Sequence, residues 1–107
     1  AVLTQLLIKQ YEEKEYLALE KVGAEGLALF PAQPMVYLMY AKGLNKLKKY
    51  GDALTALQSG LDYIVDDYVI EADFYEQISL SYKGLGKNVE ATKYYNLALE
   101  MRQKKSQ

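Results

Sequence analysis

An all-α array of repeated helix–turn–helix units is the fold class this sequence predicts, and three observations carry the prediction. Apolar residues recur at spacings of three and four along most of the chain, one face of a helix at a time. Short polar turns recur at Glu12–Tyr16, Lys48–Ala53 and Gly86–Ala91, and the Tyr16 of the first returns as Tyr50 of the second at an interval of about 34 residues. The two prolines, Pro31 and Pro34, lie together, where one helix must end and another begin, because proline cannot continue a helix.

The elements follow in order. In the first unit Leu3, Leu6, Leu7 and Gln10 make one helical face, and Tyr16, Leu19, Gly23, Gly26 and Leu27 make the second, closed by Pro31. The middle unit, Tyr37–Leu61, is the most regular. Tyr37, Tyr40, Ala41, Leu44 and Leu47 share one face, Ala53, Leu54, Leu57 and Leu61 share another, and the small Ala41, Ala53 and Gly60 let two antiparallel helices approach closely. In the last unit Tyr75, Ile78, Ser79 and Tyr82 form the first helix, and Ala91, Tyr95, Ala98 and Leu99 the second. Gly84 and Gly86 flank its turn, where a helix end often needs a left-handed residue. The interval from Ala53 to Ala91 exceeds the first period by about one helical turn. The additional four residues fall in Asp62–Glu71, which is too apolar for a solvated tip, so they are expected to lengthen the helices on either side.

A helix–turn–helix period of about 34 residues marks tetratricopeptide repeats, and the chain resembles that family over nearly its whole length. The resemblance is carried by Tyr37, Tyr40, Ala41, Leu44, Tyr50, Ala53, Leu57, Gly60 and Leu61, then by Tyr75, Ile78, Ser79, Tyr82, Gly86, Ala91, Tyr95, Ala98 and Leu99. It implies six antiparallel helices in three units, about residues 1–33, 34–67 and 72–105 of one domain, forming a short right-handed superhelix. The first unit departs from the pattern at Leu7, Gln10 and Leu19, where a small residue, an aromatic and an alanine are usual, so its two helices are expected to pack less tightly.

Composition excludes several function classes. The chain has 107 residues, half of them hydrophobic and a quarter charged, and a net charge of −1. It can bury a core, but it lacks the concentrated positive field that binding to phosphates requires. With no cysteine it has no disulfide or thiolate chemistry, and the redox compartment is not legible. No apolar run approaches the roughly 20 residues that span a bilayer, and Ala1–Gln10 has no signal-peptide pattern. The first residue is Ala, as expected of a mature form or a piece of a longer protein. There is no His or Cys, the commonest proton shuttle and the strongest nucleophile, so an enzyme is not expected. Gly84–Asn88 lacks the glycine spacing and the following Ser or Thr of a phosphate loop. Asp66, Asp67, Glu71 and Asp73 lack the glycine bend and alternating ligands of a calcium loop, and read as helix-end charge. No cofactor or metal is implied.

The expected function is therefore a protein–protein interaction module. The resemblance implies a concave groove lined by the first helix of each unit, and it places Ile8, Tyr11, Met35, Leu38, Met39, Lys42, Asn45, Lys46, Leu80 and Lys83 there as the partner-binding set. An apolar strip with a cationic border suits an amphipathic helix or a peptide carrying acids. One subclass of the family grips a chaperone's terminal carboxylate. Its slots correspond to Thr4, Ile8, Met39, Asp73 and Gln77, none of which is a cation, so that ligand is not expected. Tyr37, Tyr40, Tyr75, Tyr82 and Tyr95 read as packing residues. The alternative function is structural. Tyr94, Leu97 and Met101 lie off the packed face of the last helix, so they are expected to be exposed and to support a homo-oligomer or assembly within a larger repeat protein. A third reading is the accessory domain of an enzyme. The partner's identity and the compartment are not legible.

Overall fold

The computed structural model describes residues 2–106 and contains six α-helices: α1 Val2–Glu12, α2 Tyr16–Leu29, α3 Pro34–Lys46, α4 Tyr50–Leu61, α5 Tyr68–Gly84 and α6 Asn88–Ser106. No strand occurs among the described residues. Consecutive helices pack on one another from α1 to α6, and α3 also packs on α1 and α5. The first helices of successive pairs thus stand side by side, and the result is a helical repeat solenoid.

The three turns within the pairs are built alike. Lys14, Lys48 and Gly86 each take a left-handed backbone, at φ 61°, 62° and 76°. The residue after each donates its N–H across the helix end: Glu15 to the carbonyl of Gln10, Lys49 to Leu44 and Lys87 to Tyr82. This is the six-to-one hydrogen bond that closes a helix on a left-handed residue. Two of the three sites therefore carry lysine in a conformation that favours glycine.

The four additional residues lengthen one helix, not two. α5 has 17 residues where α3 has 13, while α4 stops after 12. Asp62–Asp67 forms the connection, and Asp67 begins α5 by accepting a hydrogen bond from the Ile70 N–H at 3.0 Å. The connection is anchored at Tyr63 and Ile64 but is otherwise exposed, Val65 included, where its apolar residues were expected to avoid solvent. Tyr63 stacks on Tyr37 with centroids 5.8 Å apart, Ile64 is half-buried, and the Tyr37 hydroxyl donates to the Pro31 carbonyl at 2.7 Å.

The two helices of the first pair meet each other less extensively than those of the other pairs, as expected, and Leu7 and Leu19 pack on α3 instead. Both are fully buried with Val36 and Met39. Leu19 fits because its neighbour across the interface is Gly43: a Cβ there would lie 2.7 Å from the Leu19 Cδ2. Gln10 is buried too, and its Oε1 has no hydrogen-bond partner. A second core unites Leu38, Ala41, Leu44, Ala53, Leu57, Phe74 and Ile78 from α3, α4 and α5.

α6 buries Ala91 and Ala98 as expected, but its packed face is rotated from Tyr95 and Leu99 toward Tyr94, Leu97 and Met101. Met101 is buried at 7% exposure, Tyr94 and Leu97 are half-buried, and Tyr95 and Leu99 are exposed at 53% and 42%. Tyr94 lies between Tyr75 and Tyr82, with ring centroids 5.9 and 5.6 Å away. Tyr95 falls opposite Leu57 when Ala91 is aligned with Ala53, so the alignment of the repeats places it well. Leu57, however, is buried in the cluster with Phe74 and Ile78 of α5, and among the described residues no further helix covers Tyr95. Met101 and its neighbours are drawn in by the longer α5. Arg102 pairs with Asp73 and Glu76, at 3.4 and 2.7 Å, and Lys104 lies over the Tyr68 ring, 5.4 Å from its centroid.

Candidate functional site

Between the first helices of the three pairs lies a cavity of about 340 Å³. α1 contributes Tyr11, α3 contributes Lys42, Asn45 and Lys46, α4 contributes Tyr50, and α5 contributes Gln77, Leu80, Lys83 and Gly84. Helical spacing explains the set. Lys42 and Lys46 are one turn apart, as are Leu80 and Gly84, so each pair lies on one side of its helix.

A buried polar network forms the floor. The Asn45 amide nitrogen donates to the Gln77 carbonyl at 3.2 Å and to its Oε1 at 3.0 Å. The Ser81 hydroxyl donates to the Asn45 Oδ1 at 2.8 Å and to the Gln77 carbonyl at 3.1 Å. All three residues are buried, so the network satisfies their polar groups and ties α3 to α5. At one end Tyr50 lies against Gly84, where a Cβ would come within 2.5 Å of three ring atoms. At the other, the Lys42 ammonium sits 4.4 Å from the centroid of Tyr11, a cation–π pair. Tyr11 in turn meets Tyr16 at 5.8 Å.

Positive charge surrounds the opening. Lys42 is half-buried, Lys46 and Lys83 are exposed, and none of the three has an acidic partner among the described residues. Leu80 is 45% exposed and gives the opening an apolar side. Lys49, by contrast, is engaged outside the cavity. It holds Glu20 at 2.7 Å, and this hydrogen bond raises its pKa.

Of the ten residues expected to form the groove, Tyr11, Lys42, Asn45, Lys46, Leu80 and Lys83 line the cavity. Leu38 and Met39 do not; they are 2% and 3% exposed and belong to the two hydrophobic cores. Ile8 packs half-buried on the first core, and Met35 lies in a separate crevice with Pro34 and Ile64. Tyr50 and Gly84 were not expected here. The signal that could have found them is their complementarity, an aromatic at the start of one helix against a glycine at the end of the next. The carboxylate-gripping slots are themselves without a cation, and the Arg102 that reaches Asp73 is shared with Glu76. Met39 is buried, Asp73 pairs with Arg102, and Gln77 is held by Asn45.

The strongly perturbed groups lie away from the cavity and are structural. Burial, with the hydrogen bond it donates to Glu71 at 2.8 Å, pushes the Tyr75 hydroxyl up to about 12. Burial also raises Tyr40, aided by Glu20 and Asp52.

No family model and no curated protein matches the chain, but solved structures do. The first TPR domain of human RPAP3 superposes with a TM-score of 0.82 at 21% identity, over 94% of this chain and 76% of that one. MamA of AMB-1 gives 0.82 at 19% identity over 95% of this chain, which spans 58% of MamA. The Yersinia enterocolitica type III secretion translocator chaperone SycD, in an alternative dimer, gives 0.81 at 21% identity, over 92% of this chain and 72% of that one. The chain has the tetratricopeptide-repeat fold. At these identities the likeness establishes architecture, and the function has to be argued from the residues.

Proposed function

We propose that this chain is a non-catalytic protein-interaction module that holds an acidic, partly apolar peptide or helix between α1, α3 and α5. The observation that carries this reading is the cavity itself, whose opening sets Lys42, Lys46 and Lys83 around Leu80 and Tyr11. Unpaired cations steer and orient acidic side chains, while the aromatic and apolar surface supplies affinity at low entropic cost. The Asn45–Gln77–Ser81 floor holds its side chains still, so the surface is preformed and binding orders little of the receptor. SycD is a chaperone by its description, and a client-holding groove is the role this reading extends to the present chain.

The test is selection of displayed random peptides on the folded chain, followed by binding to a Lys46→Glu/Lys83→Glu variant and to Leu80→Glu. All three positions are exposed, so the variants keep their helicity. Selected peptides should be rich in Asp and Glu beside apolar residues, and both variants should weaken them at least about tenfold, the scale of losing a well-placed charge or apolar anchor. Peptides that bind the variants as well as the parent would overturn the proposal. The corresponding test at Leu38 and Met39 is uninformative, because a charge at either position unfolds the core.

A further inference from the structure

The edge that holds the connections between helix pairs is poor in cations, although Lys104 of α6 lies over Tyr68 there, and it has a crevice of its own. No Lys or Arg occurs between Lys21 and Lys42, or between Lys49 and Lys83. These stretches supply the two connections between helix pairs, which lie side by side. Between them is an open crevice of about 420 Å³, walled by Pro34 and Met35 on one side and by Tyr63, Ile64, Val65 and Ile70 on the other. Val65 is 79% exposed, and Leu29, Phe30, Tyr68 and Val69 around the same connections are exposed as well. Asp67 also lines the crevice, while Asp62 and Asp66, in the same connection, are exposed.

Folding explains these acids only in part. Asp62 caps the C-terminal end of α4, where the helix dipole disfavours negative charge. Asp66 holds a left-handed backbone at φ 51°, a conformation that Asp adopts more readily than most residues with a side chain. Neither makes an ion pair or a side-chain hydrogen bond among the described residues. Asp67 is used once, as the cap of α5. The connection thus sets exposed aliphatic side chains beside two carboxylates that make no ion pair among the described residues, a combination that suits contact with another molecule.

We propose that this crevice is a second docking site, and that its occupant is a short segment of a partner protein pairing apolar side chains with Lys or Arg. The charge decides the occupant. A segment suited to the lysine-bordered cavity carries acids, and Asp62, Asp66 and Asp67 would repel it. An anionic membrane surface is disfavoured for the same reason. The crevice volume admits two or three apolar side chains, with the carboxylates left to meet the cations beside them. The two sites therefore select for opposite charge, and a partner can occupy either without displacing a ligand from the other.

The test follows backbone amide resonances of the isotope-labelled chain during titration with two synthetic amphipathic peptides, one of Leu and Lys and one of Leu and Glu. The Leu–Lys peptide should shift resonances of residues 32–35 and 63–70. Asp62→Asn/Asp66→Asn should weaken it about 2- to 30-fold, the range for two exposed ion pairs, and about 0.5 M salt should remove most of that difference. Val65→Ser, at an exposed position, should weaken it without altering the fold. The proposal fails if the Leu–Glu peptide shifts the same residues equally, if the Leu–Lys peptide shifts residues 42–46 and 80–84 instead, or if neither shifts anything. It also fails if these resonances move with the concentration of the chain alone, which would make a second copy the occupant, or if anionic phosphatidylglycerol vesicles shift them in preference to the peptide.

Discussion

Replacing Gly43 by Ala should destabilise this protein and should stabilise its Leu19→Ala variant. The sign reversal follows from one contact. A Cβ on Gly43 would lie 2.7 Å from the Leu19 Cδ2 and 3.0 Å from its Cγ, but 3.6 Å from its Cβ. In the parent chain, Gly43→Ala gains about 1 kcal/mol of helix propensity. It also forces a fully buried leucine out of its packed position, which costs about 1–3 kcal/mol. The net effect is a loss of about 1 kcal/mol. Leu19→Ala alone costs about 2–5 kcal/mol through the cavity it opens. In that background the two close contacts are gone and the remaining one is ordinary van der Waals contact. Gly43→Ala then keeps its propensity gain and fills part of the cavity, for a gain of about 1–2 kcal/mol. The coupling energy is thus about 2–3 kcal/mol, within the range for residues in direct contact. Urea denaturation of the four proteins, followed by helical circular dichroism, measures it. The same sign for Gly43→Ala in both backgrounds would refute the packing argument, as would additivity to within about 0.5 kcal/mol.

Three further outcomes are expected. Lys48→Gly should raise stability by about 0.5–1 kcal/mol in urea melts, since the left-handed penalty exceeds the extra chain entropy of glycine, and Gly86→Ala should lower it by about 1 kcal/mol or more. Asn45→Ala should cost about 1–3 kcal/mol in the same assay, because it removes the bonds to Gln77 and strands the Gln77 Oε1, while the Ser81 hydroxyl keeps the Gln77 carbonyl. The raised Tyr75 pKa means that the folded state favours the neutral hydroxyl. Its contribution is fully present below about pH 10, the unfolded value, and is lost as pH rises through about 12. Denaturation midpoints at pH 8, 10 and 11 should therefore fall less steeply for Tyr75→Phe than for the parent, and equal slopes would contradict the assignment.

Much of the architecture was legible because the repeat writes itself in turn chemistry. The left-handed residues Lys14, Lys48 and Gly86 fall in the three polar turns visible in the sequence, and the second interval between them exceeds the first by about one helical turn. The direction of the extension was less legible. Asp62–Glu71 has enough apolar residues for a helix throughout, and the capping carboxylate of Asp67 decides where α5 starts. The close fit of Leu19 on α3 was not legible because it depends on Gly43, distant in sequence and adjacent in space. Tyr95 was misjudged for a related reason. Burial in α4 depends on α5, and α6 inherits the sequence position without the covering helix.

The cavity residues were harder to separate from the core, and α3 shows why. Its flanks bear on different neighbours: Met39 and Val36 pack with Leu7 and Leu19 of the first pair, while Leu38, Ala41 and Leu44 pack with Ala53, Phe74 and Ile78. A helix engaged on both flanks and by its own partner keeps a narrow free stripe, so along the whole of α3 it is Lys42, Asn45 and Lys46 that reach the cavity. Hydrophobicity cannot distinguish Leu38 in a core from Leu80 at an opening. What distinguishes them is position in the array: Leu38 has α5 of the next pair beyond it, whereas among the described residues α5 has only its own partner α6 and no following pair, and Leu80 remains 45% exposed. The polar members of the set are the better guide to the cavity. Asn45 reaches across to Gln77 and Ser81 because a buried amide must find partners, and the lysines beside it lie where no other helix claims the space. The binding surface of such an array is therefore defined by what its packing leaves uncovered, and its selectivity by the charges placed along that remainder.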